Sequence, residues 1–88
     1  MTEPYKILLI DDHPLMRKGM RQILELETDF VVVGEASNGS EGVAQALKLQ
    51  PDLIMLDLNM KGISGLDTLR SLRAHDVNAR VVVLTVSD

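Results

Sequence analysis

The chain has 88 residues, 45% hydrophobic and 25% charged, with one Tyr, one Phe, no Trp and a formal net charge of -4. That length allows one small domain with a thin, aliphatic core. The acidic balance argues against gripping a nucleic-acid backbone through this chain alone. The absence of Cys excludes disulfides and thiolate metal sites. No run is long and apolar enough for a membrane span or a secretory signal, which fits a cytoplasmic setting.

In chain order, Lys6 to Ile10 is continuously apolar after the lysine, as expected of a strand covered on both faces. Pro14 then opens a helix from its first position. Met16, Met20, Ile23 and Leu24 repeat at helical spacing through Leu26, leaving Arg17, Lys18, Arg21 and Gln22 on the wet side. Phe30 to Gly34 is the second strand. Asn38 with Glu41 three residues later resembles a capping box, and Val43, Ala44, Ala46 and Leu47 give a second helix its buried face. That helix ends near Gln50, before Pro51. Leu53 to Leu56 is the third strand. Ser64 and Asp67 cap a third helix with apolar positions Leu66, Leu69 and Leu72, and Arg80 to Thr85 is the fourth strand.

The order βαβαβαβ predicts an α/β fold with a parallel sheet. Strands one, three and four are apolar enough for the interior, whereas strand two runs into Glu35-Ala36-Ser37 and suits an edge. Right-handed crossovers then give the order 2-1-3-4, with a crevice at the strand carboxyl ends where the winding reverses between strands one and three. Asp11, Asp12 and Asp57 stand at its mouth, with Thr85 at the end of the neighbouring strand.

Two unit charges about 5 Å apart repel by about 3 kcal/mol at an effective dielectric near 20, so three ionised carboxylates call for a proton or a cation between them. An all-oxygen donor set without His or Cys in register favours Mg2+ first, then Ca2+ or Mn2+. With charge partly neutralised, Asp57 is the best nucleophile toward phosphorus, because Asp11 and Asp12 are paired and suit metal holding. Thr85 is placed to hydrogen-bond a phosphoryl oxygen. Simpler readings stand beside these: one of Asp11 and Asp12 as a helix cap, Asp57 as a turn residue, Thr85 as a plain strand residue. His13 is expected to be a solvated loop side chain, and His75 to meet the end of the third helix.

Leu8-Leu9-Ile10-Asp11-Asp12-His13-Pro14, Leu56-Asp57-Leu58-Asn59-Met60 and Val83-Leu84-Thr85 together resemble the receiver domain of bacterial response regulators. Asp-Asp-His-Pro, Gly34-Glu35-Ala36-Ser37-Asn38-Gly39 and Gly62-Ile63-Ser64-Gly65-Leu66 are similar to the nitrate/nitrite NarL and NarP type. The resemblance implies a flavodoxin-like (CheY-like) fold over residues 1–88. It implies a phosphoacceptor role in two-component signalling, within a transcriptional regulator rather than an enzyme with an external product. Asp57 would take a phosphoryl group from a sensor histidine kinase. Asp11 and Asp12 would organise Mg2+ with Asp57 and the backbone carbonyl of Asn59, and Thr85 would be the hydroxyl that senses the phosphoryl group.

Two departures stand out. Lys61 replaces the proline common after Asn59-Met60, and the sequence closes at Asp88 after strand four, so the domain is expected to be incomplete at its C-terminal end. The family's fifth strand, last helices, invariant lysine and DNA-binding tail then have no counterpart. Strand four would be an exposed apolar edge, and a homodimer pairing there is expected. Two alternatives remain at this point: an Mg-dependent phosphohydrolase using Asp57 transiently, with Asn59 where its general acid would stand, and a dimerisation module without phosphotransfer.

Overall fold

The computed structural model describes residues 3–60 and 64–84. Its elements are β1 (Tyr5–Ile10), α1 (Pro14–Leu24), β2 (Phe30–Ala36), α2 (Gly39–Leu49), β3 (Leu53–Asp57), α3 (Gly65–Ala74) and β4 (Arg80–Leu84). The strands form one sheet in the order β2-β1-β3-β4, and every neighbouring pair is parallel. This is the doubly wound arrangement expected from the alternation of periods. β1 and β3 lie inside it, which is why Leu8, Leu9, Ile10, Ile54 and Leu56 are all fully buried.

The sheet divides the core in two. On one face Leu8, Ile10, Ala36, Ile54 and Leu56 pack with Ala46 of α2 and Leu72 of α3, joined by Met60, Val77 and Ala79. On the other, Ile7, Leu9 and Val32 pack with Met20 and Leu24 of α1 and with Phe30, Leu53 and Met55. α2 can lie close over β1 because Gly42 has no side chain: a Cβ there would stand 2.5 Å from Ile10 Cδ1. Helix starts follow the sequence signals. Asn38 Oδ1 accepts the Glu41 N–H at 2.8 Å, and Ser64 Oγ accepts the Asp67 N–H at 3.1 Å. α2 stops on Gln50, left-handed at φ 49°, just before Pro51.

Several local expectations need correction. β2 continues two residues past Gly34, because Glu35 and Ala36 keep pairing with Leu9 and Ile10. Its register slips by one residue between Ile7 and Leu8, making Val33 the extra residue of a bulge. α1 ends at Leu24, short of Leu26. Met20, Leu24, Val43, Ala46, Leu69 and Leu72 face inward as expected, but the inward faces are narrower than expected. Met16 and Ile23 of α1, Ala44 and Leu47 of α2 and Leu66 of α3 are exposed, while Gly42 and Thr68 are buried. No residue of α1 is fully buried. Its inward face is thin, held by Met20 and Leu24, and Arg17 on the supposed wet side lies partly buried.

Candidate functional site

β1 delivers Asp11 into the crevice in an extended path, with its N–H donating to the Ala36 carbonyl at 3.0 Å as though the sheet continued. β3 ends on Asp57, whose register partner in β4 is Leu84. The side chains of Asp11 and Asp57 are each only 4% exposed, and that of Asp12 is 17% exposed. Their positions are fixed by the turns that follow the strands. Asp11 Oδ1 accepts the His13 N–H at 2.8 Å, and Asp57 Oδ1 accepts the Asn59 N–H at 2.9 Å. The turn role considered for Asp57 is therefore real, and it fixes the carboxylate rather than competing with a functional role.

Neither aspartate caps α1; His13 is the N-cap, without a side-chain cap hydrogen bond. His13 is also no bystander. Its Nδ1 lies 2.9 Å from Asp12 Oδ1, 3.1 Å from Asp11 Oδ1 and 3.6 Å from Asp57 Oδ2. The hydrogen bond to Asp11, followed by the Asp12 charge, holds its pKa above the ordinary 6.5. Among the described residues, one donor atom from each of Asp11, Asp12, His13 and Asp57 lies within 4.8 Å of all the others. The three carboxylates supply the oxygen donors expected of the site, with the His13 imidazole beside them as their hydrogen-bond and ion-pair partner. His75 behaves as expected, its Nδ1 meeting the Ser71 carbonyl at 2.8 Å at the end of α3.

A second residue escaped the sequence. Arg17 Nη1 donates to the Asp11 carbonyl at 2.5 Å, and its Nε to Glu35 Oε1 at 3.2 Å. One guanidinium thus ties the acidic loop to both α1 and the end of β2. The signal was faint, an arginine one turn after His13. Thr85 and Lys61 lie outside the described residues. Asn59 follows Asp57 in the β3–α3 loop and is itself exposed.

Chemically, three carboxylates around a partly buried pocket attract a hard divalent cation, and two well-ordered oxygens with an open solvent side suit an ion that keeps several waters. The site's oxygens fit Mg2+ in kind and number.

Residues 7–88 match the family model described as the response regulator receiver domain. The chain is 59% identical over 88 residues to the nitrate/nitrite response regulator protein homolog of Haemophilus influenzae, covering all of this chain and 42% of that protein. It therefore spans less than half the length of that curated relative. Among solved structures, the signal receiver domain of a NarL response regulator from Mycobacterium tuberculosis superposes with a TM-score of 0.91 at 31% identity, over 99% of this chain and 70% of that one. The CheX-CheY-BeF3-Mg complex from Borrelia burgdorferi gives 0.87 at 28% identity, over 94% and 63% of the two chains. With the sheet order, the strand-end carboxylates and these matches in agreement, the chain belongs to the response regulator receiver domain family.

Proposed function

We propose that Asp57 is a phosphoacceptor: it takes a phosphoryl group from a phosphohistidine of a sensor histidine kinase, and the whole of residues 1–88 serves as the receiver domain of a cytoplasmic transcriptional response regulator. The observation that carries this reading is the burial of Asp57 at the end of an inner strand, within one cluster with Asp11 and Asp12. An Asp57 carboxylate oxygen attacks phosphorus, the P–N bond to the donor imidazole breaks, and its electron pair returns to that ring. The Asn59 N–H holds the other carboxylate oxygen, so the attacking group meets its partner already oriented.

Asp11, Asp12, Asp57 and the Asn59 backbone carbonyl would hold Mg2+, which when bound supplies charge neutralisation for the incoming phosphoryl oxygens. Arg17 keeps the Asp11 loop in place from behind. Thr85 is the group we assign to sensing the phosphoryl oxygen. DNA would be met only by a module outside this chain, whose own net charge is -4. We further infer that a second copy can pair along the outer edge of β4, where Val82 and Val83 are 42% and 39% exposed.

Incubation with Mg2+ and a small acyl phosphate, followed by intact mass measurement, tests the central claim. One stable phosphoryl adduct is expected, absent in Asp57→Asn. Release of free phosphate without accumulation would instead favour a hydrolase, and neither adduct nor turnover would favour a dimerisation module.

A further inference from the structure

We propose that Arg17, held by Glu35, is a positioning residue for phosphoryl transfer: it fixes the Asp11–Asp12 peptide plane and, through that plane, the direction from which Asp12 enters the site. The inference rests on the reading of Asp57 as a phosphoacceptor and of Asp12 as a metal-holding residue.

The stereochemistry at the end of β1 carries it. The Asp11 N–H keeps a sheet partner, the Ala36 carbonyl at 3.0 Å, but the Asp11 carbonyl turns to a side chain, Arg17 Nη1 at 2.5 Å. That carbonyl lies in one rigid plane with the N–H and Cα of Asp12, so the guanidinium that holds it also sets where the Asp12 side chain begins. Asp11 and Asp57 are aimed in another way, each by the N–H of a residue two places on, His13 at 2.8 Å and Asn59 at 2.9 Å.

Arg17 is itself held. Its Nε donates to Glu35 Oε1 at 3.2 Å, and both side chains are partly buried, 17% and 26% exposed. Glu35 is fixed from two further sides: its other oxygen accepts from Arg21 Nη1 at 2.7 Å, and its backbone carbonyl accepts from Gln45 Nε2 of α2 at 2.7 Å. A brace thus runs from α2 through β2 and α1 to the acidic loop. Arginine suits its last step because Nε and Nη1 reach two acceptors from one planar group, whereas lysine offers a single charged nitrogen. A staple between α1 and β2 would need the contact with Glu35 alone. The second contact, onto the Asp11 carbonyl, is what a staple does not explain.

Phosphoryl uptake from a small acyl phosphate, followed by intact mass over a series of Mg2+ concentrations, tests this in variants first shown to fold by a cooperative urea transition. Arg17→Ala should raise the Mg2+ concentration for half-maximal rate by about tenfold or more, the cost of losing a group that orients a ligand, and change the limiting rate far less. Arg17→Lys should behave alike. Arg21→Ala, which removes a hydrogen bond to Glu35 but none to Asp11, should stay within about twofold, as expected of an exposed pair. Glu35→Ala should raise the half-maximal concentration on its own and add nothing in the Arg17→Ala background, because the two residues act along one line. The amide resonance of Asp12 should move in Arg17→Lys and hold still in Arg21→Ala. Unchanged Mg2+ dependence in Arg17→Ala overturns the proposal, and so does full rescue by lysine. An equal effect of Arg17→Ala and Arg21→Ala overturns it too, since only a staple would then remain. A wild type that gains no phosphoryl group would instead fell the phosphoacceptor reading, and this inference with it.

Discussion

Glu35 ends the exposed side of β2, yet it holds two arginines of α1 at once, Arg21 Nη1 at 2.7 Å and Arg17 Nε at 3.2 Å. The hydrogen bond from Arg21 leads, with that from Arg17 behind it, in holding the Glu35 pKa below its ordinary 4.5. A carboxylate lowered in the folded state adds stability that is present above the unfolded pKa and is lost as pH falls through the folded one. Glu35→Gln should therefore cost about 0.5–1 kcal/mol at neutral pH, the range of partly exposed pairs, and flatten the acid limb of the stability profile below pH 4.5. Urea melts at stepped pH check both; an unchanged acid limb would show that the pair carries no weight. Residues at this scale were legible in part. Asp11, Asp12 and Asp57 could be found because a strand end fixes where a side chain emerges. His13 and Arg17 could not, since their direction depends on the turn that Asp11 makes with its own backbone.

At the scale of the element, the β3–α3 connection is tight where it leaves the site. A Cβ on Gly65 would stand 2.5 Å from Leu58 Cα and 2.9 Å from the Asp57 carbonyl, and both are backbone atoms that cannot turn aside. Gly65→Ala should cost about 1–3 kcal/mol, as overpacking does, and weaken phosphoryl uptake at Asp57 by shifting its loop. Leu66→Ala next to it should stay within about 0.5 kcal/mol, because Leu66 is 55% exposed. Denaturant midpoints of the two variants make the contrast. The sequence placed every helix and nearly every boundary, since caps and Pro51 are local signals. It found the inward positions Met20, Leu24, Val43, Ala46, Leu69 and Leu72 but not the small buried residues beside them, Gly42, Gly65 and Thr68, which a hydrophobic count passes over. Close approach, rather than greasiness, selected those positions.

At the scale of the whole molecule the two sides of the sheet are unequal. α2 and α3 share one face, whereas among the described residues α1 alone lies over the other, and it buries none of its own residues fully. β4 forms an outer edge among the described residues, with Val82 exposed. Self-association along that edge should appear in sedimentation velocity as a concentration-dependent shift across the micromolar range, removed by Val82→Lys; a constant monomer would dismiss it. The sheet order was readable because crossover handedness leaves few alternatives. The bulge in β2 was not, since nothing in Val31-Val32-Val33 marks one valine as surplus. Yet that surplus residue sets a parity. Val32 and Ala36 are four apart, so strict alternation would send both to the same side. They lie in opposite halves of the core, Val32 beside Ile7 and Ala36 beside Ile10. The same half-step turns Glu35 toward α1 and its arginines instead of toward α2. β2 thus behaves like a text with a reading frame: the surplus valine keeps Gly34 to Ala36 in phase with Leu8 to Ile10, and a strand that kept the residue but straightened the bulge would invert every letter after it, with the grip of Arg17 and Arg21 on Glu35 the first word lost.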